Sequence, residues 1–133
     1  MTAANALFEQ LRQFDTPTIS NALEIVRGTR SISGFTRCGL IASRGGAHAI
    51  IGYARTASIR ASAPTADAAA EQRAKRLSYY EYVAQQPLPS IAVVQDIDAL
   101  AGVGAFWGEV NTHVHWGLGC IGAVTNGSMR DLD

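Results

Sequence analysis

Apolar positions along the chain change their spacing several times, and the changes mark out the elements. Leu7, Leu11 and Phe14 recur at i, i+4 and i+7, which predicts an N-terminal helix over residues 4–14. Asp15-Thr16-Pro17 then offers an N-cap and a first-turn proline. Ile19, Leu23 and Val26 form the face of a second helix that stops near Gly28, so helices are expected over residues 4–27. Residues 29–47 hold four glycines and no clean period, and read as a long loop with room for one short strand. The stretch AIIGYARTASIRA, residues 49–61, is β-branched and of short period, as a strand would be. Residues 65–86 are alanine-rich and helical, with Glu71 and Lys75 spaced for an i,i+4 pair and Pro87 and Pro89 beyond. SIAVVQ, residues 90–95, is an apolar run of strand length, expected to be a buried parallel strand. Asp96 and Asp98 stand at its exit, and Gly102 and Gly104 mark a loop. A helix is expected over residues 109–116, closed by Gly117 or Gly119. A second short apolar strand follows at 121–125, and then an Asn126-Gly127 turn. The order strand, loop, helix, strand is a βαβ unit, and with the residues after the turn it spans 90–131.

Composition narrows the class. The chain has 133 residues, which suits a single α/β domain over 1–133, and 47% hydrophobic with 17% charged residues is a globular balance. Eleven basic residues meet eleven acidic ones, so bulk attraction to nucleic acid or anionic lipid is not indicated. The start, MTAANALFEQLRQ, has no basic n-region and no long apolar run, so it does not read as a secretory signal. The stretch from Val110 to Met129 lacks Asp, Glu, Lys and Arg. It still carries two His, two Asn and four Gly, and does not read as a membrane span. Cys38 and Cys120 make neither a disulfide framework nor a metal knuckle. A soluble cytoplasmic protein with free thiols is expected, with no nucleic-acid or membrane partner.

Several tempting motifs fail on context. Gly117, Gly119 and Gly122 match G-x-G-x-x-G, but a dinucleotide fingerprint follows a strand and opens a helix, whereas these glycines close a helix and lead into a strand. His113 and His115 stand two apart on a predicted helix, about 200° around its axis, and cannot share an ion. His48 sits alone in a loop. Tyr79, Tyr80 and Tyr82 beside Arg73, Lys75 and Arg76 face different ways on a helix, so core packing with a solvated charged face is the better reading than a stacking platform. Ser20, Ser128 and the cysteines have no visible base partner for nucleophilic catalysis.

Two features carry chemistry. Trp107-Gly108-Glu109-Val110-Asn111 opens a helix, where free backbone N–H groups form an anion site and Gly108 lets a ligand approach the backbone. The plainer alternative is an ordinary helix start with Glu109 favourably placed on the dipole. Arg130-Asp131 follows the last strand and turn. There Asp can ligate a hard cation and Arg can neutralise a developing oxyanion, or the two can form a surface ion pair. Both features lie at the carboxyl-end side of the parallel strands, the edge where α/β sheets bind ligands.

The run from Gly108 to Asp131, GEVNTHVHWGLGCIGAVTNGSMRD, resembles the RraA-like family, which includes the 4-hydroxy-4-methyl-2-oxoglutarate aldolases and the regulator of ribonuclease E activity. Asp15 to Leu23, DTPTISNAL, and Gly52 to Thr56, GYART, support the likeness in the family's order. The resemblance implies a swivelling β/β/α fold assembled as homotrimers or hexamers. It implies a divalent cation, magnesium or manganese, held by Asp131, with Arg130 polarising the substrate and the backbone of Gly108, Glu109, Val110 and Asn111 binding its carboxylate. It implies retro-aldol cleavage of small 2-oxo acids to pyruvate, with oxaloacetate decarboxylation through the same pyruvate enolate. The alternative is a non-catalytic regulator that binds ribonuclease E-type enzymes. Asp96 and Asp98 are candidates for a supporting shell around the site.

Family members continue past Arg-Asp with strands that complete the sandwich, whereas this sequence stops two residues later. The domain is therefore expected to be incomplete at its C-terminal end, with an exposed apolar face that aggregates or pairs with another chain. Family aldolases also carry a further acidic residue shortly after the pair and can draw one from a neighbouring subunit. Asp133 is open for the first part, and the second has no assignment.

Overall fold

The computed structural model describes residues 3–30, 33, 35–43, 49–62 and 66–132, with side chains from residue 6 onward. The chain forms two compact units, Met1–Ile51 and Gly52–Asp133. His48 and Asp133 lie outside the described residues.

The first unit carries helices α1 (Ala3–Leu11) and α2 (Thr16–Arg27). α1 is shorter than its apolar spacing predicts. Residues 12–14 tighten into turns, with Phe14 N–H donating to Leu11 O at 3.1 Å, because the chain must redirect into the next cap. That cap is the expected one: Asp15 Oδ1 accepts from Thr18 N–H at 2.9 Å. Gly28 ends α2 in the left-handed region at φ 67°. No strand is present among the described residues of 29–47.

The second unit is α/β. A three-stranded parallel sheet has the order β1 (Tyr53–Ile59), β2 (Ser90–Asp96), β4 (Cys120–Thr125). β1 is shorter than the 49–61 stretch because it pairs residue for residue with the seven of β2, from Tyr53↔Ser90 to Ile59↔Asp96. The β1-to-β2 crossover carries α3 (Ala69–Val83), and the β2-to-β4 crossover carries α4 (Glu109–Gly117). Parallel neighbours require such crossovers. α3 is shorter than 65–86. Beyond Val83 the carbonyls of Gln85 and Pro87 turn to the Arg55 guanidinium, at 2.5 and 3.0 Å. The expected Glu71–Lys75 pair forms at 3.0 Å, joined by Asp67 at 2.7 Å.

β2 is central, and its alternate residues Ser90, Ala92, Val94 and Asp96 are buried. Val83, Ala92, Val94, Trp107 and Cys120 form the core, with Tyr79, Tyr82, Phe106 and Leu118 packed against it. Tyr79 and Tyr82 thus pack inward, as the helix reading required. Tyr82 Oη also accepts from Thr56 N–H at 3.1 Å, tying α3 to β1. The glycine triplet behaves as its context demands. Gly117 ends α4, Leu118 is the cap and Gly119 takes the left-handed φ of 84° before β4. Both cysteines are free, Cys38 exposed and Cys120 buried. Among the described residues no helix is long and apolar enough to cross a membrane.

Two short strands add to the elements that the sequence pattern predicts. β3 (Ala105–Trp107) and β5 (Ser128–Met129) pair in parallel as a separate ribbon, with Ala105↔Ser128 and Trp107↔Met129. Three and two residues are too few to show a period of two.

Candidate functional site

The β3–β5 ribbon decides the geometry of the site. β3 leads straight into Gly108 and α4, and β5 leads straight into Arg130 and Asp131. Pairing the two strands in parallel carries both exits to the same end. Arg130 N–H continues the ladder, donating to Trp107 O at 3.0 Å. The two features singled out in the sequence therefore meet.

They meet closely. Asp131 Oδ2 accepts from Glu109 N–H at 3.2 Å, at the mouth of α4. Gly108 has no side chain to cap the helix, so Asp131, two residues beyond β5, caps it instead. A Cβ built on Gly108 would lie 2.6 Å from Asp131 Oδ2 and 3.0 Å from Arg130 Nε. Gly108 itself is extended, at φ −165°, so a side chain there would be opposed by the Asp131 and Arg130 side chains and not by backbone conformation. Asp131 sits at φ 58°, a left-handed conformation in which Asp is better tolerated than most residues.

Arg130 Nε lies 3.5 Å from Asp131 Oδ2, and the two side chains are 70% and 48% exposed. An ion pair so open to water contributes little to stability. Thr112 N–H returns to Gly108 O at 3.0 Å, the first bond of the helix ladder. The N–H groups of Glu109, Val110 and Asn111 precede that ladder and have no intrahelical acceptor. Asp131 takes the first of them. An incoming carboxylate thus meets the Val110 and Asn111 amides at the mouth, or displaces Asp131 from Glu109.

Asn111 also has an internal use. Its Nδ2 donates to Phe106 O at 2.5 Å, and its Oδ1 accepts from Tyr80 Oη–H at 3.1 Å. His113 and His115 diverge on α4, as the helix period required. His113 is exposed and donates through Nδ1 to Glu109 O at 2.9 Å. His115 is buried at 2% exposure. Its Nδ1–H donates to Asn111 O at 2.6 Å, so its Nε2 accepts from Tyr79 Oη–H at 2.8 Å. Burial holds His115 below the ordinary imidazole value and pushes the Tyr79 hydroxyl up to about 12.

Asp96 and Asp98 brace loops. Asp96 Oδ2 accepts from Gly102 N–H at 2.9 Å, and its backbone exchanges two bonds with the Asn126 carboxamide, at 2.7 and 3.1 Å. Asp98 Oδ2 accepts from the N–H and hydroxyl of Ser62. The Asp96–Asn126 bonds, with the Ser128 hydroxyl on Gly102 O, hold the turn that carries β5 against the loop after β2, and the Asp98–Ser62 bonds tie that loop to the segment after β1. The acidic spacing was visible in the sequence, but the Asn126 partner, thirty residues along the chain, was not.

Among the described residues no group of three His, Cys, Asp or Glu side chains could cage a metal ion. The site offers one hard carboxylate beside an open backbone cradle. That suits magnesium or manganese, which bind through one or two carboxylates and fill their remaining positions with water and substrate oxygens. It does not suit a structural metal cage.

Neither curated proteins nor solved structures yield a significant match to the chain. A family model does: RraA-like, Aldolase/RraA, matches residues 16–133, which takes in α2, both sheets, the α4 mouth and the Arg130-Asp131 edge. With its α/β fold and that match over most of its length, the chain belongs to the RraA-like (Aldolase/RraA) family.

Proposed function

We propose that the chain carries the site of a divalent-metal-dependent lyase acting on small 2-oxo acids. In this reading it cleaves 4-hydroxy-4-methyl-2-oxoglutarate-type substrates to pyruvate and decarboxylates oxaloacetate. The single observation that supports this best is the convergence of the α4 mouth, the Asp131 carboxylate and the Arg130 guanidinium around the space left by Gly108.

Asp131 is the residue to hold a magnesium or manganese ion. When bound, the cation supplies Lewis-acid polarisation of a chelating 2-oxo acid. The substrate carboxylate is bound by the amides of the Gly108–Asn111 segment, whose dipole end favours an anion. Gly108 leaves room beside that backbone for the Asp131 and Arg130 side chains. Arg130 is the cation that would hold the oxygen on which charge develops as the enolate forms. For oxaloacetate, the bond to the departing carboxylate breaks, carbon dioxide leaves and the electron pair becomes the enolate of pyruvate. Solvent water then protonates the enolate carbon. For the aldol substrate, water takes the 4-hydroxyl proton as the carbon–carbon bond breaks. The same reading makes the protein a homo-oligomer, a trimer or hexamer, and places it in the cytoplasm, where free thiols such as its own persist.

The test is pyruvate release from oxaloacetate with magnesium or manganese, with and without chelator. Metal-dependent release that the chelator abolishes is expected. Asp131→Asn keeps a residue suited to the left-handed backbone but removes the charge, and is expected to abolish turnover. Turnover equal to wild type in that variant would remove Asp131 as the metal ligand. Absence of release by the wild type in either metal would favour the protein-binding regulator.

A further inference from the structure

The mouth of α4 has no cap of its own, so something else must fix its angle to β3. We propose that Asn111 is a positioning residue for the anion-binding amides, and that Tyr80 holds it in its working orientation. The inference rests on the reading that the α4 mouth binds the substrate's carboxylate.

The geometry is specific. Asn111 lies in the first turn of α4, and Phe106 lies in β3, two residues before Gly108. The bond from Asn111 Nδ2 to Phe106 O therefore spans the Gly108 joint, strand on one side and helix on the other. Gly108 is the most permissive residue for a joint, so a brace across it limits where the Glu109 and Val110 amides point. A carboxamide can flip, and a flipped one would set its oxygen against the Phe106 carbonyl. The Tyr80 hydroxyl, donating to Oδ1 at 3.1 Å, stabilises the orientation that leaves Nδ2 on Phe106.

A second pin lies one turn further on. His115 Nδ1–H holds the Asn111 carbonyl, and Tyr79 donates to His115 Nε2. Two consecutive tyrosines of α3 thus fasten both the side chain and, through His115, the backbone of one residue of α4. The rings of Phe106 and Trp107 flank His115, with centroids 6.2 and 4.6 Å away, and keep it from swinging. None of these groups reaches the reacting atoms, so the effect should appear in binding.

The experiment uses Tyr80→Phe, which keeps the ring and removes one hydroxyl, alongside Asn111→Ala and the double variant. With oxaloacetate and magnesium, Tyr80→Phe is expected to raise KM about three- to tenfold, the scale of one hydrogen bond, with kcat held within about twofold. Because Tyr80 acts through Asn111, the double variant should match Asn111→Ala alone. An unchanged KM with kcat reduced in proportion to folded protein would overturn the proposal, as would additive effects in the double variant. The ligand-free protein separates this inference from the lyase reading. Amide hydrogen exchange at Glu109, whose N–H Asp131 holds, and at Thr112, whose N–H Gly108 O holds, should quicken in Tyr80→Phe while Trp116, at the far end of α4, keeps the wild-type rate. Wild-type rates at Glu109 and Thr112 in that variant would sink the positioning role even if the protein had no lyase activity.

Discussion

Gly108 is where a single side chain decides whether the site exists. Its absent Cβ leaves room for Asp131 Oδ2 and Arg130 Nε. Gly108→Ala is expected to push both aside and remove metal-dependent pyruvate release, while far-ultraviolet circular dichroism stays that of the wild type. Arg130 is replaceable in charge but not in shape. Arg130→Lys keeps the cation and loses the planar fork, so a drop in kcat of roughly ten- to a hundredfold with a smaller change in KM is expected. His115 gives a pH dependence whose sign follows from its burial. Its folded pKa lies below the ordinary value. As pH falls below about 6.5 the unfolded chain takes the proton first. The contribution of His115 to stability is therefore complete above about pH 6.5 and is lost as pH falls toward its depressed folded value. Denaturant midpoints should decline between about pH 7 and pH 5. His115→Gln should start lower and decline less, and an equal decline would place the titrating group elsewhere.

At the scale of elements, the fold depends on close backbone approaches and a small core. Val94 lies at the centre of β2 and is 1% exposed. Val94→Ala is expected to cost about 2–3 kcal/mol in urea unfolding, from two lost methyl groups and the cavity they leave. Gly104 precedes β3, and a Cβ there would fall 2.4 Å from the backbone C and O of Ala61. Backbone cannot yield as a flexible side chain can. Gly104→Ala should destabilise by about 1–3 kcal/mol and disturb the start of β3, with activity lost alongside. The helices and long strands were legible because each repeats its period over enough residues. Asp15 as the cap of α2, the inward tyrosines of α3 and the diverging histidines of α4 all follow from spacing. β3 and β5 were not legible, because a two-residue strand has no period and is defined only by its partner.

Across the whole molecule, apolar residues remain open to water in both units. Ile25 and Val26 on α2 are 81% and 83% exposed, and Leu100, Val103, Val110 and Trp116 of the second unit are each exposed by more than half. Exposed apolar area on this scale favours association. Sedimentation velocity is expected to show self-association that rises with concentration. A single monomeric species across the range, melting cooperatively, would contradict the proposed assembly.

The sequence by itself determined the class of fold, the order of its main elements and the residues worth watching. Apolar period, caps and glycine context are local properties, and each is written within a few consecutive residues. It also carried the family likeness, through the motif from Gly108 to Asp131. Only the tertiary structure decided that Asp131 closes the mouth of α4, that Asn111 braces the joint before it, and that Asp96 and Asn126 bind one loop to another. Those contacts join residues that are distant in sequence or turned by a strand pairing too short to leave a pattern. They depend on which backbone exits a parallel ribbon carries to the same end, and that is set by packing of the whole unit.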